Sequence, residues 1–345
     1  MESEQKQLTP LSSMGEFGLI EYLTRNIKLV QESTIKGVGD DAAVIKHDKH
    51  TVVTTDLLVE GIHFDLMYTP LKHLGYKAVV VNLSDVYAMN ATPRQVTVSI
   101  AVSAKFSVEH LHELYDGIYL ACERYNVDLI GGDTSSSLTG LCISVTALGE
   151  ANASDIVYRN GAQVNDLICV SGNLGGAFIG LQLLEREKKV FLETKGAQPK
   201  LDIYSYVLER QLKPEARKDI PTLFKEMGIK PTAMIDISDG LSSELLHICT
   251  QSGVGCAVYE EKIPIDKDTI AVADEMNLVP LTAALNGGED YELLFMFPIA
   301  EFEKISTRNE FKIIGHITDK DSGCKLVLKS GAEADIKAQG WNGLK

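Results

Sequence analysis

Helical and β-branched segments alternate along the 345 residues of this chain, and they predict an α+β protein of two domains. The length exceeds what one hydrophobic core of ordinary size accommodates. The order of elements also restarts after G-E-A-N-A-S (149–154), which places the boundary between domains 1–150 and 151–345.

The first element is a helix over 16–27, where Phe17, Ile20, Leu23 and Ile27 recur at helical spacing. A Gly-rich turn, K-G-V-G-D-D (36–41), follows. T-V-V-T-T-D-L-L-V (51–59) is rich in β-branched residues and reads as a strand. Pro70 then opens a helix that runs through Lys77, Val80 and Leu83 to Tyr87. V-T-V-S-I-A-V-S (96–103) alternates as a strand with one wet face. Ser107 is the N-cap of a helix over 108–125, with Glu109 and His110 in its first turn. Strands over 127–130 and 141–148 flank a turn at I-G-G-D-T (130–134). This order puts helices on one face of a sheet. The sheet's open edges need cover, and pairing with a second subunit is one solution.

In the second domain a strand over 166–172 leads into a Gly-rich helix start, N-L-G-G-A-F-I-G (173–180). The charged stretch 183–200 reads as a surface segment. Helices are predicted over 214–227 and 240–250, and strands over 291–297 and 311–316.

Composition narrows the function classes. With 45% hydrophobic and 23% charged residues the chain is an ordinary globular one. Its 48 acidic against 33 basic residues, a net charge of -15, argue against nucleic acid as a main partner. Six cysteines, at 122, 142, 169, 249, 256 and 324, form no C-x-x-C pair. They fit buried reduced thiols better than a disulfide framework or a zinc site. The polar N-terminus lacks a signal-peptide core, and no apolar run approaches a membrane span. A cytoplasmic location without membrane contact is the expectation.

Six segments pair acids with glycine or small polar residues. They are V-G-D-D-A-A (38–43), T-T-D-L-L-V-E-G-I-H-F (54–64), N-L-S-D-V (82–86), I-G-G-D-T (130–134), I-D-I-S-D-G-L (235–241) and N-G-G-E-D-Y-E-L-L (286–294). Unpaired carboxylates are costly to cluster away from water. Mg2+ removes that cost, since it prefers oxygen ligands and is often shared between carboxylates and substrate phosphates. Each segment also has a plainer reading. Asp56 is a metal ligand helped by Thr54 and Thr55, or a polar strand terminus. Asp85 lies inside an apolar helix, where a lone acid needs a partner or a metal. Asp40 and Asp41 form a turn or bridge two cations. Asp133 after Gly131-Gly132 has the form of a phosphate or metal loop. Asp239 caps the following helix, or Ser238 and that helix start hold an anion beside Asp236. His63 is structural or touches a phosphate. Glu289 and Asp290 cap a turn or meet a cationic substrate. Trp341 closes the core or stacks on a flat ring. No P-loop, protein-kinase signature or dinucleotide fingerprint occurs.

Taken in order, these motifs resemble the thiamine-monophosphate kinase family, within the superfamily of aminoimidazole ribonucleotide synthetase. The resemblance runs from G-E-F-G-L-I (15–20) to G-W-N-G-L (340–344). It implies that superfamily's two-domain α+β fold, with a homodimer formed through the N-terminal sheets. It also implies transfer of the ATP γ-phosphoryl group to thiamine monophosphate, with several Mg2+ ions. By motif, Asp41, Thr54, Thr55, Asp56, Asp85, Asp133, Asp236 and Asp239 match metal ligands. Tyr115, Gly132, Asp133, Arg159 and Ser238 match nucleotide contacts, and His63, Glu289 and Trp341 match thiamine-substrate contacts. No general base is expected, because the acceptor phosphate is already largely ionised. Two positions depart from the family pattern: Asn90 stands where glycine is usual, and Gly176 where an acid is common. The competing readings are a related ATP-using synthetase, of the aminoimidazole ribonucleotide or selenophosphate type, and a non-catalytic nucleotide-binding protein. The selenophosphate enzymes carry an N-terminal catalytic cysteine, whereas the first cysteine here is Cys122.

Overall fold

The structure, a computed structural model, describes residues 8–39, 42–194 and 201–339, without the side chains of residues 16 and 17. Its contacts divide the chain into two units, Met1–Val86 with Thr92–Glu150, and Tyr87–Ala91 with Ala151–Lys345.

The first unit is built from α1 (Gly15–Thr24), β1 (Thr34–Lys36), β2 (Val44–Ile45), β3 (His50–Val59), α2 (Leu71–Ala88), β4 (Thr92–Val102), α3 (Val108–Tyr125), β5 (Asp128–Ser136) and β6 (Leu141–Ala151). Among the described residues β1 and β2 pair with each other, and the main sheet has the order β3-β6-β4-β5. Strand β4 is antiparallel to β6 and parallel to β5. Val96, Val98, Ile100 and Val102 of β4 are buried, while Thr97, Ser99 and Ala101 between them are half-buried. That is the alternation the sequence predicts.

Helix α2 is buried on every side from Leu74 to Ala88 except at Asp85. It lies against α3 through two glycines. A Cβ on Gly75 would fall 2.0 Å from the Leu114 carbonyl oxygen, and one on Gly117 would fall 1.9 Å from that of Lys72. Helix α3 starts where Ser107 predicts. The Ser107 N–H donates to His110 Nδ1 at 3.1 Å, and the His110 N–H donates to Ser107 Oγ, a capping box closed by histidine.

I-G-G-D-T is not a turn. It continues β5, with a register shift that moves the partner of Val96, Leu129, to Gly131 for Thr97, leaving Ile130 as the extra residue. The glycines read as a turn because a bulge and a turn draw on the same residue type.

The second unit contains β7 (Leu167–Ser171), α4 (Gly176–Glu193), α5 (Ser205–Leu212), α6 (Asp219–Met227), β8 (Ala233–Asp236), α7 (Leu241–Ser252), β9 (Gly255–Tyr259), α8 (Lys267–Glu275), α9 (Pro280–Asn286), β10 (Leu293–Phe297), α10 (Phe302–Ile305), β11 (Phe311–Thr318), β12 (Cys324–Val327) and β13 (Glu333–Asp335). Among the described residues its sheet has the order β13-β12-β9-β11-β7-β10-β8. The predicted helix over 214–227 begins only at Asp219. Pro221 has no N–H to give and so belongs in a first helical turn, which sets that start. Part of the charged stretch 183–200, residues 195–200, lies outside the described residues. Asn90 takes φ 54, the left-handed conformation that asparagine tolerates best after glycine.

The close approach of α2 and α3 generates a stability prediction. Gly117→Ala should cost roughly 1–3 kcal/mol or more through overpacking, read as a lower urea midpoint. An unchanged midpoint would mean that the two helices separate freely.

Candidate functional site

Strand alternation decides which side chains of T-T-D meet. Thr54 and Asp56 point toward α2, and Thr54 Oγ1 donates to Asp85 Oδ2 at 2.6 Å. The Asp56 carboxyl is pushed up to about 6, first by burial and then by the negative charge of Asp85. Thr55 faces the other way. Its hydroxyl donates to the Val145 carbonyl at 3.0 Å and accepts from Thr146 Oγ1 at 3.1 Å. The Thr55 side chain therefore lies on the opposite face of β3 from those of Thr54 and Asp56.

Gly132 is required by packing, since a Cβ there would lie 1.7 Å from the Val98 carbonyl oxygen. Asp133 is exposed and pairs in register with Ser99, on the face opposite the buried Val98 and Ile100. It borders a hollow lined by Leu11, Gly15, Leu19 and Ala104. The structure thus joins Thr54, Asp56 and Asp85, and sets Asp133 on the other side of the sheet. Tyr115 is 5% exposed within α3, with its phenol pushed up to about 12 by burial. His63 closes its own turn, its Nδ1 accepting from the Val59 N–H at 3.1 Å. Asp41 and Trp341 lie outside the described residues.

The second unit holds another acidic corner. Asp236 ends β8 opposite Leu293 and is 3% exposed, whereas Ser238 and Asp239 are exposed in the loop before α7. The Ser238 carbonyl accepts from the Glu289 N–H at 2.7 Å, which brings Glu289 to the same corner. Glu289 and Tyr291 adopt φ 57 and φ 51, left-handed values that are strained for residues other than glycine. The turn is held from both sides. Gln211 Nε2 donates to Glu289 Oε2 at 2.8 Å, and Asp290 Oδ2 accepts from the Gly175 N–H at 2.7 Å, at the start of α4. Glu292 then bonds Ser171 Oγ at 2.6 Å and pairs with Arg210 and Arg217. Arg159 is exposed, one residue beyond the Tyr158 carbonyl that accepts from the Met234 N–H of β8.

Sequence reasoning missed Glu244. It accepts from the Asp239 N–H at 3.0 Å through Oε1, while Oε2 is buried without a hydrogen-bond partner among the described residues. Its carboxyl is pushed up to about 8, by burial first and also by the charges of Asp239 and Asp236. The signal was present in the sequence: Glu244 falls on the stripe of Leu241, Leu245 and Ile248, where an acid is out of place. In both units the donors are carboxylate and hydroxyl oxygens. That donor chemistry fits a hard divalent cation such as Mg2+.

Three comparisons bear on identity. The family described as AIR synthase related protein, N-terminal domain, matches residues 39–151. The thiamine-monophosphate kinase of Buchnera aphidicola subsp. Schizaphis graminum is 36% identical over 340 residues, covering 95% of this chain and 98% of its own. That of Bacillus subtilis is 33% identical over 341 residues, covering 96% and 100%. A solved structure described as AaThiL complexed with AMPPCP and TMP aligns with TM-score 0.74 at 30% identity, over 98% of this chain and 99% of the other.

The raised Glu244 carboxyl predicts a pH effect in the absence of divalent cations. Its folded-state value, about 8, lies above the ordinary 4.5, so its stabilising contribution is complete below 4.5 and is lost as pH rises through 8. Glu244→Gln should flatten this decline in urea midpoint across that window. Parallel profiles for the two proteins would remove Glu244 as its source.

Proposed function

The chain belongs to the thiamine-monophosphate kinase family, and we propose that it transfers the γ-phosphoryl group of ATP to thiamine monophosphate, giving thiamine diphosphate and ADP. Similarity over nearly the whole chain to such kinases, one of them solved with AMPPCP and TMP, carries this reading. The joining of Thr54, Asp56 and Asp85 supports it from the geometry.

Thr54, Asp56 and Asp85 would hold Mg2+ in the first unit, and Asp236 and Asp239 in the second. A Mg2+ ion held there would supply positive charge against the anionic phosphates during transfer. The acceptor is a phosphate monoester whose second pKa is about 6, so it brings its own anionic nucleophile near neutral pH. A phosphate oxygen of thiamine monophosphate forms the new bond to the γ-phosphorus as the bond to the ADP oxygen breaks, in line and without a phosphoenzyme. No side chain has to remove a proton. The chain's own task is to orient two polyanions and exclude water between them. The Glu289 turn supports a place for the thiamine substrate, because its strained backbone is fixed by Gln211, Asp290 and Glu292. A cytoplasmic setting suits the substrates, and among the described residues no helix is long and apolar enough to cross a membrane.

We also propose that the chain forms a homodimer through the outer face of the β3-β6-β4-β5 sheet. There Val53 and Leu57 are 60% and 53% exposed, on the side of β3 that carries Thr55. Exposed apolar side chains on either side of Thr55 on an open sheet face favour burial against a partner.

Incubation with ATP, Mg2+ and thiamine monophosphate should yield thiamine diphosphate and ADP in equal amounts. ATP binding without diphosphate formation would favour a non-catalytic protein. Asp56→Asn should lower turnover on the order of 10²-fold or more while leaving thermal unfolding cooperative; full activity in that variant would take Asp56 out of the metal set. By light scattering, the protein should be a dimer and Leu57→Lys a monomer. A monomeric parent protein would end the dimer reading.

A further inference from the structure

Three of the six cysteines, far apart in sequence, converge in the second unit. Cys249 lies in the last turn of α7, Cys256 in β9 and Cys324 at the start of β12, and their sulfur atoms all lie within 4.8 Å of one another. Cys256 and Cys324 are register partners on neighbouring parallel strands. Cys249 is 2% and Cys256 0% exposed, and Cys324 is half-buried. Cys249 and Cys256 share one apolar cluster with Val258, Ile317, Leu326 and Ile336, against which Cys324 packs.

The backbone around each thiol is already satisfied. The Cys256 N–H donates to the Gly323 carbonyl at 3.0 Å, the Cys249 carbonyl accepts from the Val254 N–H at 3.0 Å, and the Cys324 carbonyl accepts from the Ile336 N–H at 2.9 Å. The three thiols are carried on α7, β9 and β12. Metal–thiolate bonds of about 2.3 Å place the sulfurs of one trigonal site about 4 Å apart. The observed triangle accommodates that arrangement. A disulfide needs two sulfurs, and it would leave the third without a role. Thiolate sulfur selects soft d10 cations and is a poor donor for Mg2+, so this triangle is chemically separate from the oxygen donors at the other end of α7.

We propose that Cys249, Cys256 and Cys324 form a three-sulfur site for one thiophilic d10 cation, of the Zn2+ or Cu+ class. Each sulfur that bonds the ion gives its proton to solvent, so uptake releases protons. The half-buried side of Cys324 is the way in. A bound ion ties the end of α7 to β9 and β12.

The test uses the full chain, reduced and stripped of metal under anaerobic conditions. Zn2+ and Cu+ are titrated separately against a colorimetric chelator. The expected result for at least one ion is uptake of about one equivalent per chain, with proton release, a raised midpoint of thermal unfolding, and for Cu+ a sulfur-to-metal absorption band. Cys324→Ser, at the half-buried corner, should abolish these while retaining cooperative unfolding. Cys256→Ala serves as the second variant where Cys324→Ser fails to fold: loss of uptake in folded Cys256→Ala then supports the site, and unchanged uptake overturns it. Uptake that persists unchanged in folded Cys324→Ser places the ion at carboxylates and overturns the proposal. So does failure of the reduced parent chain to bind either ion more tightly than that variant.

Discussion

The functional reading depends on two carboxylates that face one another where a strand meets a helix. Asp56 comes from β3 and Asp85 from α2, with the Thr54 hydroxyl bonded to Asp85 at 2.6 Å. From Leu74 to Ala88 helix α2 is otherwise buried, and Asp85 is the position in that stretch with access to the seam. Burial and mutual repulsion both favour protonation of Asp56. A divalent cation reverses that preference. The seam is fixed by packing well away from the acids: the close approach of Gly75 to Leu114 and of Gly117 to Lys72 sets where α2 crosses α3, and hence where Asp85 stands beside β3.

The second unit follows the same logic with a different device. Here strain rather than a helix crossing fixes the site. Left-handed residues at 289 and 291 flank Asp290, whose carboxylate serves as a remote cap for α4, and Glu292 is locked by Arg210 and Arg217. A turn constrained at so many points presents Glu289 in one orientation. Strain of this kind persists only when surrounding contacts over-determine it.

Much of the first unit was legible in the sequence. Pro70 and Ser107 announced helix starts, and the alternation in 96–103 announced β4, because each signal is local. What escaped depended on partners distant in sequence. The bulge in β5 is a property of its pairing with β4, so G-G-D read as a turn, and the side of the sheet that Asp133 faces could not be assigned. For Thr55, period two alone sets its side chain on the opposite face of β3 from Thr54 and Asp56. Helix α5, lying between charged segments, and the short strands β8, β9, β12 and β13 carry too little pattern to stand out. Glu244 was readable as an acid on an apolar stripe. The convergence of Cys249, Cys256 and Cys324 was not, since no spacing rule links them.

Proton release on magnesium binding tests the central claim most directly. Near pH 6 the Asp56 carboxyl is about half protonated in the free protein, and a cation bound at that seam must displace the proton. Calorimetric titration of Mg2+ in buffers of different ionisation enthalpy should therefore show protons released at pH 6, with the release lost in Asp56→Asn. Magnesium binding with no proton release, and with equal affinity in that variant, would contradict the account.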